Sequence, residues 1–81
     1  MEYVARTPEQ LGQVLKSCRK LRGLTQSAVG SKVGIKQSRI SEIEAHGAPA
    51  TVETLYKLLS ALGLALVLRD KAAPDTSKRE W

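Results

Sequence analysis

The stretch "LTQSAVGSKVGIKQSRISEIE", residues 24–44, contains two short amphipathic patterns separated by a single Gly-Ile pair. The first pattern begins at the capping residue Thr25 and ends at Gly34, because glycine adopts the positive φ that closes many helices. The second begins at Lys36 or Gln37 and places two isoleucines at helical spacing. The stretch therefore predicts two short helices joined by a tight turn.

Two further helices are predicted, one on each side of this pair. The first begins at Thr7 and closes at Gly23, and the last begins at Thr51 and stops at Gly63. Their apolar residues recur at helical spacing and are Leu11, Val14, Leu15, Cys18 and Leu21 in the first and Leu55, Leu58, Leu59 and Leu62 in the last. An all-α domain of four to five helices is expected.

The run LALVLR, from Leu64 to Arg69, follows a glycine stop and is too short for another helix, so it predicts a strand. A single strand cannot satisfy its own backbone, and the chain offers only Tyr3–Ala5 as a weak second strand. Pairing with the same strand of a second copy would give a two-fold homodimer. The predicted dimerisation residues are Leu64, Leu66, Val67 and Leu68.

A homodimer would also supply stability that the chain needs. With 81 residues it forms one small domain, and a domain of this size buries only about 60% of its unfolded surface. Its single cysteine, Cys18, excludes an internal disulfide. Self-association is then the expected stabiliser.

Positive charge is concentrated around the helix pair. The net charge is +5, and no Asp or Glu lies between Gln10 and Ser41. The basic residues of that interval are Lys16, Arg19, Lys20, Arg22, Lys32, Lys36 and Arg39. An acid-free interval can be a solvated basic surface, but its coincidence with the helix pair favours contact with phosphates.

Two helices joined by a tight glycine turn form a helix-turn-helix unit, whose second helix can enter the DNA major groove. If Ile40 and Ile43 face inward, the outward residues at the start of that helix are Lys36, Gln37, Ser38 and Ser41, with Arg39 to one side. Gln can bond adenine edges, Lys can reach guanine or phosphate, and Ser can contact either. These five residues are the candidate DNA-binding set on this helix.

Gln26 and Arg39 each have two interpretations. Gln26 lies in the first turn of the preceding helix, where it either points toward a DNA phosphate or is an ordinary first-turn glutamine. Arg39 either reads guanine or holds a phosphate.

The chain offers little for catalysis or metal binding. One His and one Cys cannot form the usual four-ligand zinc site, and its glycines do not form a phosphate-cradling loop. No nucleophile and base stand at a defensible spacing. A binding protein without cofactor or metal is expected, and the absence of a signal-like or membrane-spanning apolar run predicts a cytoplasmic one.

The segment "LRGLTQSAVGSKVGIKQSRISEIEAHG", residues 21–47, is similar to the Xre/Cro/C1-type helix-turn-helix family in its Thr-Gln start, glycine turn and Ile-Ser-x-Ile-Glu ending. The resemblance covers roughly residues 9–63 and implies a lambda-repressor-like fold. It implies DNA-reading roles for Lys36, Gln37, Ser38 and Ser41 and a DNA-backbone role for Gln26. Arg39 departs from the small β-branched residue that often stands at its position, and Lys36 replaces a capping Ser or Thr.

Within that family the chain resembles the HipB-like antitoxins, through "GIKQSRIS", the strand after the last helix and the ending Glu80-Trp81. This resemblance implies an autorepressor that binds palindromic operator DNA as a homodimer and neutralises a HipA-like serine/threonine kinase toxin. We expect residues 1–70 to form the DNA-binding and dimerisation domain and residues 71–81 a disordered tail. Trp81 would then anchor the toxin. The alternative is a prophage-type repressor without a toxin, in which the strand and the tail serve only dimerisation and solubility. For Trp81 the alternative to an anchor is a solvent-exposed residue.

Overall fold

A computed structural model describes residues 2–47 and 50–71 of the chain. It contains four α-helices, namely α1 Pro8–Leu21, α2 Gln26–Val33, α3 Gln37–His46 and α4 Val52–Ala61. The predicted all-α class is confirmed with four helices. None of the helices in these two ranges has the length and apolarity needed to cross a membrane. The predicted tail lies, after Lys71, outside the described residues.

Threonine hydroxyls begin three of the four helices, as the sequence predicts. The Oγ1 atoms of Thr7, Thr25 and Thr51 each accept a hydrogen bond from the backbone N–H three residues further on, at 2.9–3.1 Å. Helix α3 differs because its cap, Lys36, makes no side-chain capping bond. The weaker capping expected from a lysine at this position is therefore observed.

The core lies where the four helices meet, with α1 packed on α3 and α2 packed on α3 and α4. Its buried apolar residues are Leu15, Cys18, Val29, Ile40, Ile43, Leu58, Leu59 and Leu62. Leu11, Val14, Val33, Ile35 and Leu55 pack against this cluster while half-buried. The predicted inward faces are thus confirmed, including the placement of Cys18 as a small buried apolar residue.

Leu21 is an exception to the predicted apolar face of α1. Its side chain is 72% exposed. Leu21 is the last residue of α1, and the chain then turns at Arg22 and Gly23, whose φ is 69°. The helical spacing continues to Leu21, but this last residue of α1 is not covered by the core.

Helices α1 and α3 touch at backbone distance where Gly12 faces the last turns of α3. A Cβ on Gly12 would lie 2.5 Å from the carbonyl oxygen of Glu44 and 2.7 Å from that of Ile43. Such distances are shorter than van der Waals contact, and backbone carbonyls of a packed helix cannot move away as a flexible side chain would. Gly12 therefore sets the separation of the two helices.

The segment after α4 has no regular secondary structure in this single chain. Leu64 packs half-buried against the core, but Leu66, Val67 and Leu68 are 45%, 65% and 88% exposed. Arg69 forms an ion pair with Glu2, so the two ends of the described chain lie side by side. A strand at 64–69 requires hydrogen bonds from a second backbone, and it stays a prediction.

Replacing Gly12 with alanine should destabilise the domain. The overlap with two backbone carbonyls costs about 3 kcal/mol, which exceeds the gain in helix propensity of about 1 kcal/mol, so a net loss of about 2 kcal/mol is expected. Urea unfolding followed by circular dichroism measures it. Gln13→Ala on the exposed face of α1 is the control, and equal unfolding free energies for the two variants would refute the close contact.

Candidate nucleic-acid interface

The outward face of α3 and its N-cap carry all five residues that the sequence placed there. Their side chains are exposed, and they are Lys36, Gln37, Ser38, Arg39 and Ser41. On the opposite face Ile40 and Ile43 are only 2% and 1% exposed. One side of α3 is therefore fixed to the core while the other offers a contiguous polar surface at the start of the helix.

The turn between α2 and α3 holds this surface in place. Gly34 has φ 74° and ψ 34°, a left-handed conformation that most side chains disfavour. The N–H of Ile35 then donates to the carbonyl of Gly30 at 2.8 Å, and a Cβ on Gly30 would overlap the carbonyl oxygen of Ile35. With Ile35 packed against the core, two glycines make the turn compact enough for α2 and α3 to touch.

A buried ion pair lies directly beneath the interface. Arg19 of α1 and Glu44 of α3 are 8% and 5% exposed. Arg19 donates from Nε to Glu44 Oε2 at 2.6 Å and from Nη2 to Oε1 at 3.1 Å, so the contact is bidentate. Arg19 Nη1 also donates to the carbonyl of Leu24 at 2.8 Å, so the pair reaches the loop that precedes α2.

Grouping Arg19 with the basic surface residues was therefore wrong. Its guanidinium is turned inward and neutralised by Glu44. A signal for this was present in the spacing, because Arg19 follows Leu15 and Cys18 at the same helical offsets as Glu44 follows Ile40 and Ile43. Opposite charges at equivalent places on two apolar faces are what a buried pair requires.

The ion pair shifts the titration of both partners. Burial alone raises the pKa of the Glu44 carboxyl, but hydrogen bonds from Arg19 and Gln26 and the charges of Arg19 and Lys16 outweigh it and hold the pKa below its ordinary value. The hydrogen bond with Glu44 raises the pKa of Arg19, against the opposing effect of burial. Both groups are thus charged at neutral pH.

Gln26 links this pair to the outward face of α3. Its Nε2 donates to Glu44 Oε1 at 3.0 Å, and its Oε1 accepts from Gln37 Nε2 at 3.2 Å. Nothing in the spacing of the residues predicts these bonds. Gln26 is half-buried and lies beside the candidate reading residue Gln37, and a phosphate contact by Gln26 stays a proposal.

Arg39 lies at the edge of the same surface. Its Nη1 is 3.9 Å from Glu42 Oε1, one helical turn further on, and both side chains are well exposed. An exposed pair of this kind contributes little to stability. Arg39 therefore keeps both of its candidate roles, guanine reading and phosphate binding.

The remaining candidate residues do not belong to α3. Leu64, Leu66, Val67 and Leu68, the predicted dimerisation residues, belong to the segment after α4. Trp81, the predicted toxin anchor, lies outside the described residues. Among residues 2–47 and 50–71, no three His, Cys, Asp or Glu side chains gather in a way that could hold a metal ion.

Comparison with known proteins agrees with this geometry. A sequence model of the family described as helix-turn-helix matches residues 15–68, which is more than half of the chain. Antitoxin HipB of Escherichia coli K12 is 36% identical over 80 residues, which cover 93% of this chain and 91% of that protein. The chain belongs to the HipB family of helix-turn-helix proteins.

Solved structures of family members superimpose closely on this chain. A HipB–O4 20mer complex and a HipA–HipB–O2–O3 complex each match with a TM-score of 0.78 at 36% identity. In both cases the match covers 85% of this chain and 97% of the other. The helix arrangement described above is therefore that of the HipB fold.

The buried pair should make the stability of the domain depend on pH. Because the pKa of Glu44 is lowered on folding, the stability that it contributes is complete above the ordinary value of 4.5 and is lost as the pH falls further. Arg19→Met alone, which leaves the carboxylate buried without its cation, should cost about 3–5 kcal/mol at neutral pH. In the double variant Arg19→Met with Glu44→Leu, most of the lost free energy of unfolding should be regained. The decrease in stability at low pH should also disappear.

Urea unfolding at several pH values measures both effects. The control is Arg39→Met with Glu42→Leu, which removes the exposed pair on the same helix. If wild type and the buried double variant lost stability in parallel below pH 4.5, the pair would not be the acid-sensitive element.

Proposed function

We propose that this chain is the antitoxin of a HipA/HipB-type toxin–antitoxin module. As a homodimer it binds palindromic operator DNA and represses its own operon, and it binds and neutralises a HipA-like serine/threonine kinase toxin. The observation that carries the proposal is the 36% identity to antitoxin HipB across 93% of the chain, combined with the exposed polar face of α3. The proposal makes it a cytoplasmic binding protein and not an enzyme.

The DNA-binding part rests on the chemistry of α3 and its surroundings. Lys36, Gln37, Ser38 and Ser41 have side chains that bond base edges or phosphates, and all are exposed on one face. Arg39 and Gln26 flank this face and are assigned to phosphates. Two of the similar structures are HipB complexes, one with an O4 20mer and one with HipA, O2 and O3, which supports DNA binding by this chain.

The homodimer rests on the apolar segment after α4. Leu66, Val67 and Leu68 are exposed in the single chain, which is unfavourable for three consecutive large apolar residues. Pairing residues 64–69 with the same residues of a second copy covers them and satisfies both backbones. The dimer then places two α3 helices about one DNA turn apart, roughly 34 Å, in successive major grooves.

The kinase-binding part rests on the relatives and on Trp81. HipB is present together with HipA in one of the similar structures. In this chain a polar segment ends in Trp81, and tryptophan is enriched among residues that dominate binding energies. We assign Trp81 as the anchor for the toxin and residues 71–81 as the tail that presents it.

Replacing Gln37 with alanine tests sequence reading. Loss of its contacts with a base edge should weaken binding to the operator by about 1–3 kcal/mol while leaving binding to random DNA unchanged. Gel-shift titrations on both DNAs measure the difference. The same change in Gln13, on the exposed face of α1, is the control, and an equal loss on operator and random DNA would contradict a base-reading role.

Replacing Val67 with proline tests the dimer. Proline cannot donate a backbone hydrogen bond, so the paired strand should fail and the molar mass in analytical ultracentrifugation should fall to that of a monomer. Asp70→Pro, one residue beyond the predicted strand, should leave the dimer intact. A Val67→Pro variant that stayed dimeric would exclude strand pairing.

Replacing Trp81 with alanine tests the anchor. If Trp81 is an interface hot spot, the affinity for a HipA-like kinase encoded beside this chain should fall by at least about 2 kcal/mol, with DNA binding unchanged. Calorimetric titration of the purified kinase measures this, and Lys78→Ala is the matched control. A wild-type chain that bound no such kinase would favour the repressor without a toxin.

A further inference from the structure

The hydrogen bonds beneath α3 form one continuous series from the core to the surface that is proposed to face DNA. It runs from Arg19 to Glu44, from Glu44 to Gln26 and from Gln26 to Gln37, with distances between 2.6 and 3.2 Å. The first two residues are buried, Gln26 is half-buried and Gln37 is exposed. This series of hydrogen bonds thus connects the Arg19–Glu44 ion pair to the amide of Gln37, which is a candidate for reading a base.

The chemistry of each link dictates the orientation of the next. An ionised carboxylate can only accept hydrogen bonds, so Gln26 must turn its NH₂ group toward Glu44. Its carbonyl oxygen then faces Gln37, and Gln37 must turn its own NH₂ group toward Gln26. After these bonds Gln37 still has its carbonyl oxygen and one N–H with which to contact a base.

We propose that the Arg19–Glu44 pair positions the amide of Gln37 for adenine, by fixing through Gln26 which end of that amide faces the DNA. One acceptor and one donor are what the major-groove edge of adenine requires, since its N6 donates and its N7 accepts. This inference rests on the proposed DNA-binding function. It makes Arg19, Glu44 and Gln26 positioning residues for sequence choice in addition to their place in the fold.

The pair is well suited to this task because it cannot easily change its own orientation. Arg19 binds both oxygens of Glu44 and is itself held by the carbonyl of Leu24. The carboxylate therefore keeps one oxygen facing Gln26. A solvated glutamate would rotate freely and would transmit no preference to the amides above it.

Replacing Glu44 with glutamine should remove the orientation that residue 44 imposes on Gln26. Arg19 donates to both oxygens of Glu44, and Gln26 donates to the oxygen that also accepts from Arg19 Nη2, whereas a glutamine offers one oxygen and one NH₂ group. Either placement of the new amide turns its NH₂ group toward a donor of Arg19, so residue 44 no longer dictates which end of Gln26 faces Gln37. Gln37 can then present an acceptor and a donor or two donors to the DNA, so the preference for adenine over guanine should fall toward parity.

The probe is a duplex library with about 20 random base pairs, enough for two half-sites one helical turn apart. The wild-type dimer selects its best site from the library. The base pair read by Gln37 is the position at which the Gln37→Ala variant no longer prefers one base over the others. At that pair we expect wild type to favour A·T over G·C by about 5- to 100-fold, the discrimination of one bidentate contact. The Glu44→Gln variant should lose this preference.

Two further variants complete the test. Gln26→Met keeps the ion pair but cuts its link to Gln37, so the preference for A·T should shrink toward parity without reversing. Glu42→Gln removes a charge from an exposed residue of the same helix and should leave the preference unchanged. Circular dichroism establishes which variants are folded, and Gln26→Met decides the question if Glu44→Gln does not fold.

The outcomes separate this inference from the proposed function. A library that yields no enriched site overturns both. An enriched site at which Gln37 reads G·C in the wild type, or at which folded Glu44→Gln and Gln26→Met keep the wild-type ratio within about twofold, overturns the inference and leaves DNA binding in place.

Discussion

The contact between α1 and α3 at Glu44 is the constraint on which the rest of the structure depends. The backbone of Glu44 lies against Gly12, and its side chain is held by Arg19, so one residue fixes α3 through both its main chain and its carboxylate. A buried charge is tolerated only when it is fully paired, and among the described residues every buried side-chain nitrogen and oxygen has a partner. This contact determines how far α3 projects and which of its faces remains outside.

The small size of the domain explains why it is expected to associate with a second copy. Eight apolar side chains form the buried core of the described residues, and the segment after α4 leaves Leu66, Val67 and Leu68 exposed. A domain that buries so little apolar surface alone gains stability by association. A palindromic site also requires two copies. The proposed dimer would therefore both stabilise the domain and bind the two halves of the DNA site.

The sequence was sufficient for the helices, their caps and their inward faces, because these follow from local spacing and from residues such as Thr25 and Gly34. It also placed Lys36, Gln37, Ser38, Arg39 and Ser41 on the outside correctly. The matching positions of Arg19 and Glu44 on two apolar faces were not enough to establish that the two meet, and nothing predicted the bonds of Gln26, since these contacts join residues 11 to 25 positions apart and depend on tertiary packing. Gly12 was missed for the same reason, because the close approach that requires glycine involves a different helix.

The central claim is that two α3 helices of a dimer lie in successive major grooves of one DNA site. Protection of guanine N7 atoms from dimethyl sulfate on the selected duplex tests it directly, because N7 of guanine lies in the major groove. The account predicts two protected segments about one helical turn apart and related by two-fold symmetry. A single protected segment, or protection confined to adenine N3 in the minor groove, would contradict it.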